Sequence, residues 1–335
     1  MKNMYKIMFT TSMVMGTVMA ISSNSWMGMW IGLEINLLSI IPLMSNAKNK
    51  METEAAMKYF ITQALASAIL LMAMIMLMTN FNILSNSNQI SMILDTAILT
   101  KMGAAPLHFW FPEVMEGLSW INSMIMLTWQ KIAPMIVYMY SMKSTMFTTM
   151  VIIASVTMSG IMGINQNSMR KILVYSSINH IGWMISTTLI NQTLWTIYFF
   201  IYAMTTLNIT MMFKTLSISF SSQLINSMNN NKTLKTMFSL NFLSLGGMPP
   251  FIGFFPKWIT INNLIKEQMF LVTLIMIMMT LITLGFYMKI TFSSSVMMPA
   301  ENNLKKMNNM NPTLMKMNFI VLSLLMISPM MISFT

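Results

Sequence analysis

The stretch 243-LSLGGMPPFIGFFPKWIT-260 interrupts a run of residues otherwise fit to cross a membrane. Gly246, Gly247, Pro249, Pro250, Gly253, Pro256 and Lys257 fall within twelve residues. A proline removes one backbone donor and blocks the carbonyl four residues earlier. In lipid such freed groups cost several kcal/mol, so broken helices survive only inside protein or along a hydrated cavity. The stretch predicts a discontinuous helix with an interior face and water nearby. It also raises the question of why a lysine follows the break.

Working outward, the rest of the chain agrees with a membrane setting. The 335 residues are 56% hydrophobic and 8% charged, with mean hydropathy +0.65. Soluble domains carry about 25% charged residues. Polar flanks divide the chain into eleven predicted spans: 7–22, 25–45, 56–79, 91–117 (interrupted), 121–141, 147–165, 172–190, 194–214, 236–266 (interrupted), 269–294 and 317–334. Lys2 and Lys6 before an apolar run to Ala20 have the form of a signal peptide; the segment is read as the first span. The polar connections 46–55, 80–90, 215–235 and 295–316 are too short to be domains.

The positive-inside rule tests this count. One side receives Lys2, Lys6, Lys48, Lys50, Lys58, Arg170, Lys171, Lys214, Lys232, Lys235, Lys305, Lys306 and Lys316; the other receives Lys143 and Lys266. The N-terminus is expected inside and the C-terminus outside. Topology thus accounts for the net charge of +11, and no nucleic acid partner is implied. The absence of cysteine excludes disulfides and cysteine-ligated clusters. Two histidines and one aspartate are too few for a plausible metal cage. The 49 methionines are spread evenly over the spans and read as fill, not as a soft-metal path.

A second broken segment, 99-LTKMGAAPLHFWFPEVMEG-117, matches the first. G-A-A-P-L-H-F-W-F-P pairs with G-M-P-P-F-I-G-F-F-P, and Pro112 and Pro256 are 144 residues apart. Each break is the fourth span of a five-span block, and odd-numbered blocks placed end to end have opposite orientation. The expectation is an all-α polytopic membrane protein of about eleven helices, with two inverted five-helix repeats. The first repeat is 1–142 with its break at 103–106. The second is 143–295 with its break at 246–250, and 296–335 holds a loop and a final helix.

Four charges stand deep within predicted spans or beside their breaks. Glu34 lies in 29-MWIGLEINLLSIIPL-43, Lys101 precedes the first break, Lys131 is mid-span in 126-MLTWQKIAPMIVY-138, and Lys257 follows the second break. Lys289 lies near a span end and can snorkel. A charge at the bilayer centre costs at least about 2.5–3.5 kcal/mol, which makes it a functional candidate. One carboxylate cannot neutralise three lysines. Burial favours the neutral form of an amine and an acidic neighbour the charged form, so such a row can load and release protons without a cofactor. His108 and His180 are candidate extensions of it, because histidine titrates near physiological pH. Glu54, Glu113 and Glu116 are expected at the interface.

The segments 34-EINLLSIIPL-43, 54-EAAMKYFITQA-64, 103-GAAPLHFWFPEVMEG-117, 170-RKILVYSSINHIGWM-184 and 244-SLGGMPPFIGFFPKW-258 resemble the NADH–ubiquinone oxidoreductase chain 2 family. This is the mitochondrially encoded, antiporter-like subunit of respiratory complex I, and the composition resembles insect members. The resemblance implies a proton path lined by a Glu–Lys pair, a central lysine and a lysine on the second broken helix. By motif these fall on Glu34, Lys101, Lys131 and Lys257, with His180 as a link between half-paths. It implies FMN, iron–sulfur clusters and ubiquinone in other subunits, with no cofactor in this chain. Implied partners are subunits 4 and 4L of NADH dehydrogenase, accessory subunits and membrane phospholipids. The implied location is the mitochondrial inner membrane, N-terminus in the matrix and C-terminus toward the intermembrane space. Span 7 carries no acidic residue matching Glu34, so one composite path is expected, not two equivalent channels. An Mrp-type cation/proton antiporter subunit and a structural scaffold are the rival readings.

Overall fold

The structure, a computed structural model, describes residues 2–46, 49–78, 87–142, 144–228, 232–249 and 251–296. The expected eleventh span, together with Lys48, Lys143, Pro250, Lys305, Lys306 and Lys316, lies outside these residues. Among the described residues the regular structure is helical, apart from one isolated bridge between Ser168 and Phe220.

The chain divides into two compact units, Met1–Ser155 and Val156–Thr335. In the first unit, α1 (Lys2–Ser22) packs along α2 (Trp26–Met44), followed by α3 (Lys50–Met78) and α4 (Ser87–Met102). Small residues allow the α1–α2 approach: a Cβ at Gly32 would stand 2.5 Å from the Ala20 backbone nitrogen. Then come α5 (Trp110–Gly117), α6 (Trp120–Leu127), α7 (Trp129–Ser141) and α8 (Thr145–Gly163), within which the division falls.

The second unit continues with α9 (Met169–Thr188), α10 (Gln192–Leu216), α11 (Ser221–Met228), α12 (Lys232–Gly246), α13 (Phe254–Lys266) and α14 (Phe270–Val296). Among the described residues, six helices are long and apolar enough to cross a membrane by themselves. Helix α9 is not one of them, yet every residue from Ile172 to Thr188 is buried. Several of its polar side chains find partners within the unit: Asn179 donates to Thr283 at 3.1 Å, and Ser176 and Ser177 are hydrogen-bonded to Tyr287 and Tyr202, while Asn179 Oδ1 and Trp183 Nε1 are buried without one. A polar helix can occupy a core when its polar atoms are satisfied there.

Two elements differ from the sequence expectation. The predicted span 121–141 is broken at Thr128, so α6 and α7 are separate helices. Thr128 leaves helical geometry there, with φ −114° and ψ −71°, and Lys131 N–H bonds Thr128 O at 3.3 Å. The polar connection 215–235 contains the short helix α11. It begins where Ser217, with φ 50°, ends α10 in a left-handed turn.

Candidate functional site: buried lysines at helix interruptions

Both expected breaks are present, and they close in the same way. Helix α4 ends at Gly103 with φ +74°, and α12 ends at Gly247 with φ +76°. After α4, Ala104 N–H donates to Leu99 O at 3.1 Å and Gly103 N–H to Thr100 O at 3.2 Å. After α12, Met248 N–H donates to Leu243 O at 3.2 Å and Gly247 N–H to Ser244 O at 3.0 Å. Each is a Schellman closure with glycine in the left-handed position. At each break the turn amides satisfy two of the helix's last carbonyls. Protein side chains supply further bonds, as the indole of Trp110 donates to Thr100 O at 3.1 Å.

Lys101 is the second-last residue of α4 and is buried at 9% exposure. It lines a cavity of about 20 Å³ with Asn36, Tyr59, Gln63, Gln130 and Pro134. That volume and polar lining suit a water molecule. On its wall, Asn36 and Gln130 exchange two side-chain hydrogen bonds, 3.2 and 2.9 Å. Glu34 is half-buried on α2. It acts on Lys101 through space, but the two form no ion pair within 4 Å. One Glu34 carboxylate oxygen is buried without a hydrogen-bond partner. The implied Glu–Lys pair is thus a separated pair.

Lys131 follows the unexpected interruption at Thr128 and is 2% exposed. Its ammonium lies 5.8 Å from the centroid of Phe111, the residue against which a Cβ at Gly103 would abut. Lys257 sits in the first turn of α13 and is 5% exposed. Its ammonium donates to the Gly246 carbonyl at 2.8 Å and lies 5.8 Å from the Trp183 ring centroid. All three lysines therefore stand within a turn of a helix interruption. Lys101, in the last turn of α4, and Lys257, bonded to the carbonyl end of α12, stand where a positive charge is favoured, and the aromatic faces beside Lys131 and Lys257 each add about 0.5–2 kcal/mol.

The histidines are placed beside the breaks. His180 accepts or donates at Tyr198 Oη, 2.9 Å away, and packs against Tyr202. With Ser244, Gly253 and Pro256 it lines a cavity of about 10 Å³ at the second break. His108 is buried in the first break's connector, its Nδ1 3.3 Å from Pro106 O and its ring stacked on Phe109. Glu113 forms an exposed ion pair with Lys58 at 2.7 Å. Lys289 is exposed.

Sequence reasoning passed over Asp95. It is fully buried on α4 and accepts a hydrogen bond from Ser141. The first unit thus holds a buried carboxyl on the same helix as Lys101. A polar residue in the middle of 89-QISMILDTAILTKM-102 was the available signal.

Comparison with known proteins agrees with this architecture. Residues 23–283 match the NADH:quinone oxidoreductase/Mrp antiporter transmembrane family. NADH-ubiquinone oxidoreductase chain 2 of Locusta migratoria is 43% identical over 97% of this chain and 94% of its own. That of Anopheles gambiae is 45% identical over 93% and 92%. The fold resembles a chain of respiratory complex I from Thermus thermophilus, with TM-score 0.84 and 20% identity over 96% of this chain and 78% of that one. It also resembles a chain of the Mrp complex from Dietzia sp. DQ12-45-1b, with TM-score 0.78 and 13% identity over 96% and 75%. Identity above 40% along nearly the whole chain, with both breaks and their lysines in place, makes this chain a member of the NADH-ubiquinone oxidoreductase chain 2 family.

Proposed function

We propose that this chain is a proton-translocating membrane-arm subunit of NADH:ubiquinone oxidoreductase. It moves protons from the mitochondrial matrix to the intermembrane space, driven by quinone reduction in other subunits. FMN, iron–sulfur clusters and ubiquinone belong to those subunits. Subunits 4 and 4L, accessory subunits and phospholipids are its neighbours in this reading. The two matched breaks belong to two inverted repeats, 1–142 and 143–295.

The observation that carries the proposal is the placement of Lys101, Lys131 and Lys257, each buried and each within a turn of a helix interruption. An amine in such a place is dry enough to discharge and has enough carbonyl and aromatic field to hold a proton. Lys101 takes up the proton from the matrix side beside its small polar cavity, and Glu34 modulates its charge through space. Lys131 and Lys257 carry it further. His180, joined to Tyr198, is an additional carrier, and His108 a lesser one. In an assembled complex, Lys131→Met and Lys257→Met should each lower the number of protons moved per NADH oxidised. An unchanged ratio in both contradicts the proposal.

An Mrp-type cation/proton antiporter is the second reading, because the matching family model spans both classes. It requires sodium flux coupled to protons, which a sodium-flux assay on vesicles separates from proton transport alone.

A further inference from the structure

We propose that Asp95 is a further proton-carrying group of the first unit, taking protons from the Lys131 region toward the end of α7 at Ser141. This inference rests on the relay reading above.

Three observations converge on it. First, Asp95 is wholly buried, and a carboxyl inside a membrane-spanning unit is costly unless it is held by donors or takes up a proton. Second, its neighbours on α7 are hydroxyl groups: Ser141 donates to Asp95 Oδ1, and Tyr138 is close enough to interact with it electrostatically. Tyr138 is itself buried, with no hydrogen-bond partner at its own hydroxyl. Third, Lys131, Tyr138 and Ser141 lie on one helix, seven and three residues apart, so they share a face at the i, i+7, i+10 spacing. At 1.5 Å rise per residue, Tyr138 stands about 10 Å beyond Lys131 and Ser141 about 15 Å. The face therefore runs from a buried amine, past a hydroxyl, to a buried carboxyl. By the expected topology this is the outward direction.

The chemical step is a proton transfer. An N–H bond of the Lys131 ammonium breaks and an O–H bond forms on the Asp95 carboxylate. Solvent water and the Tyr138 hydroxyl carry the proton over the intervening distance. The carboxylic acid then gives its proton to water at the far side, and no electron moves. The alternative is a purely mechanical role, with Asp95 tying α4 to α7.

Asp95→Asn separates the two, since its amide oxygen still accepts from Ser141 but cannot carry a proton. In the assembled complex, Asp95→Asn should lower the proton-to-electron ratio as far as Lys131→Met does, and Asp95→Glu should restore part of it. If Lys131→Met lowers the ratio and Asp95→Asn does not, Asp95 is a helix tie and this inference is overturned while the relay stands. If neither lowers it, the relay reading itself fails. Should Asp95→Asn not assemble, Ser141→Ala keeps the carboxyl and removes its donor. It should then shift a protonated-carboxyl band in the redox-induced infrared difference spectrum, and an unmoved spectrum overturns the inference.

Discussion

The Lys257 ammonium donates to the Gly246 carbonyl at 2.8 Å, so the lysine after the second break caps the helix before it. This bond explains why a charge stands where the backbone is broken. The interrupted helix leaves carbonyls that its own turn cannot satisfy, and a cation is the favoured group at that end. The same geometry makes the proton on Lys257 both structural and movable, because the carbonyl binds the ammonium while burial resists it. Lys257→Met removes the donor and leaves a buried acceptor, at a cost of about 1–3 kcal/mol. The loss should appear as a lower melting temperature of the isolated complex.

Gly247 couples the two halves of this break. It has φ +76°, and a Cβ there would come within 3.0 Å of the Lys257 side chain. Gly247→Ala should therefore destabilise by more than the roughly 1–2 kcal/mol of a left-handed residue alone. Gly285, inside α14 with nothing within 4 Å of a Cβ, is the control. Gly285→Ala should be neutral or stabilising by about 0.5–1 kcal/mol. Thermal denaturation of the two variants side by side measures the contrast, and equal losses would contradict it.

Asn36 and Gln130 hold each other across the Lys101 cavity. Asn36→Leu or Gln130→Leu alone strands a buried amide, with an expected cost of about 1–3 kcal/mol each. The double variant should cost less than the sum, by about 0.5–3 kcal/mol of coupling. A double-mutant cycle on thermal stability checks this, and simple additivity would show that the pair does not act as one unit.

Tyr198→Phe keeps the ring beside His180 and removes the hydroxyl at 2.9 Å. If His180 carries protons, the variant should lower proton movement per electron while costing only about 0.5–1.5 kcal/mol of stability. Unchanged pumping with the same small loss would make the pair a packing contact.

Much of this arrangement was legible in the residues. G-A-A-P and G-M-P-P announced two breaks because glycine and proline at those places have few other uses in a membrane helix. What closes the breaks was not legible. The Schellman turns depend on backbone angles at Gly103 and Gly247, and the Lys257 cap depends on α13 folding back toward α12. The interruption at Thr128 was missed because no glycine or proline in 126-MLTWQ-130 announces it. Asp95 was missed because its partner Ser141 is 46 residues away on another helix. The separation of Glu34 from Lys101 was likewise invisible, since motif matching gives identity and order but no distances.

The most direct test compares proton movement per electron in complexes carrying Lys101→Met, Lys131→Met, Lys257→Met or Lys289→Met. Membrane vesicles oxidising NADH would serve, with assembly verified for each. Lys289 is exposed on α14. The account predicts a reduced ratio for the three buried lysines and an unchanged one for Lys289→Met. Equal ratios across all four variants would contradict it.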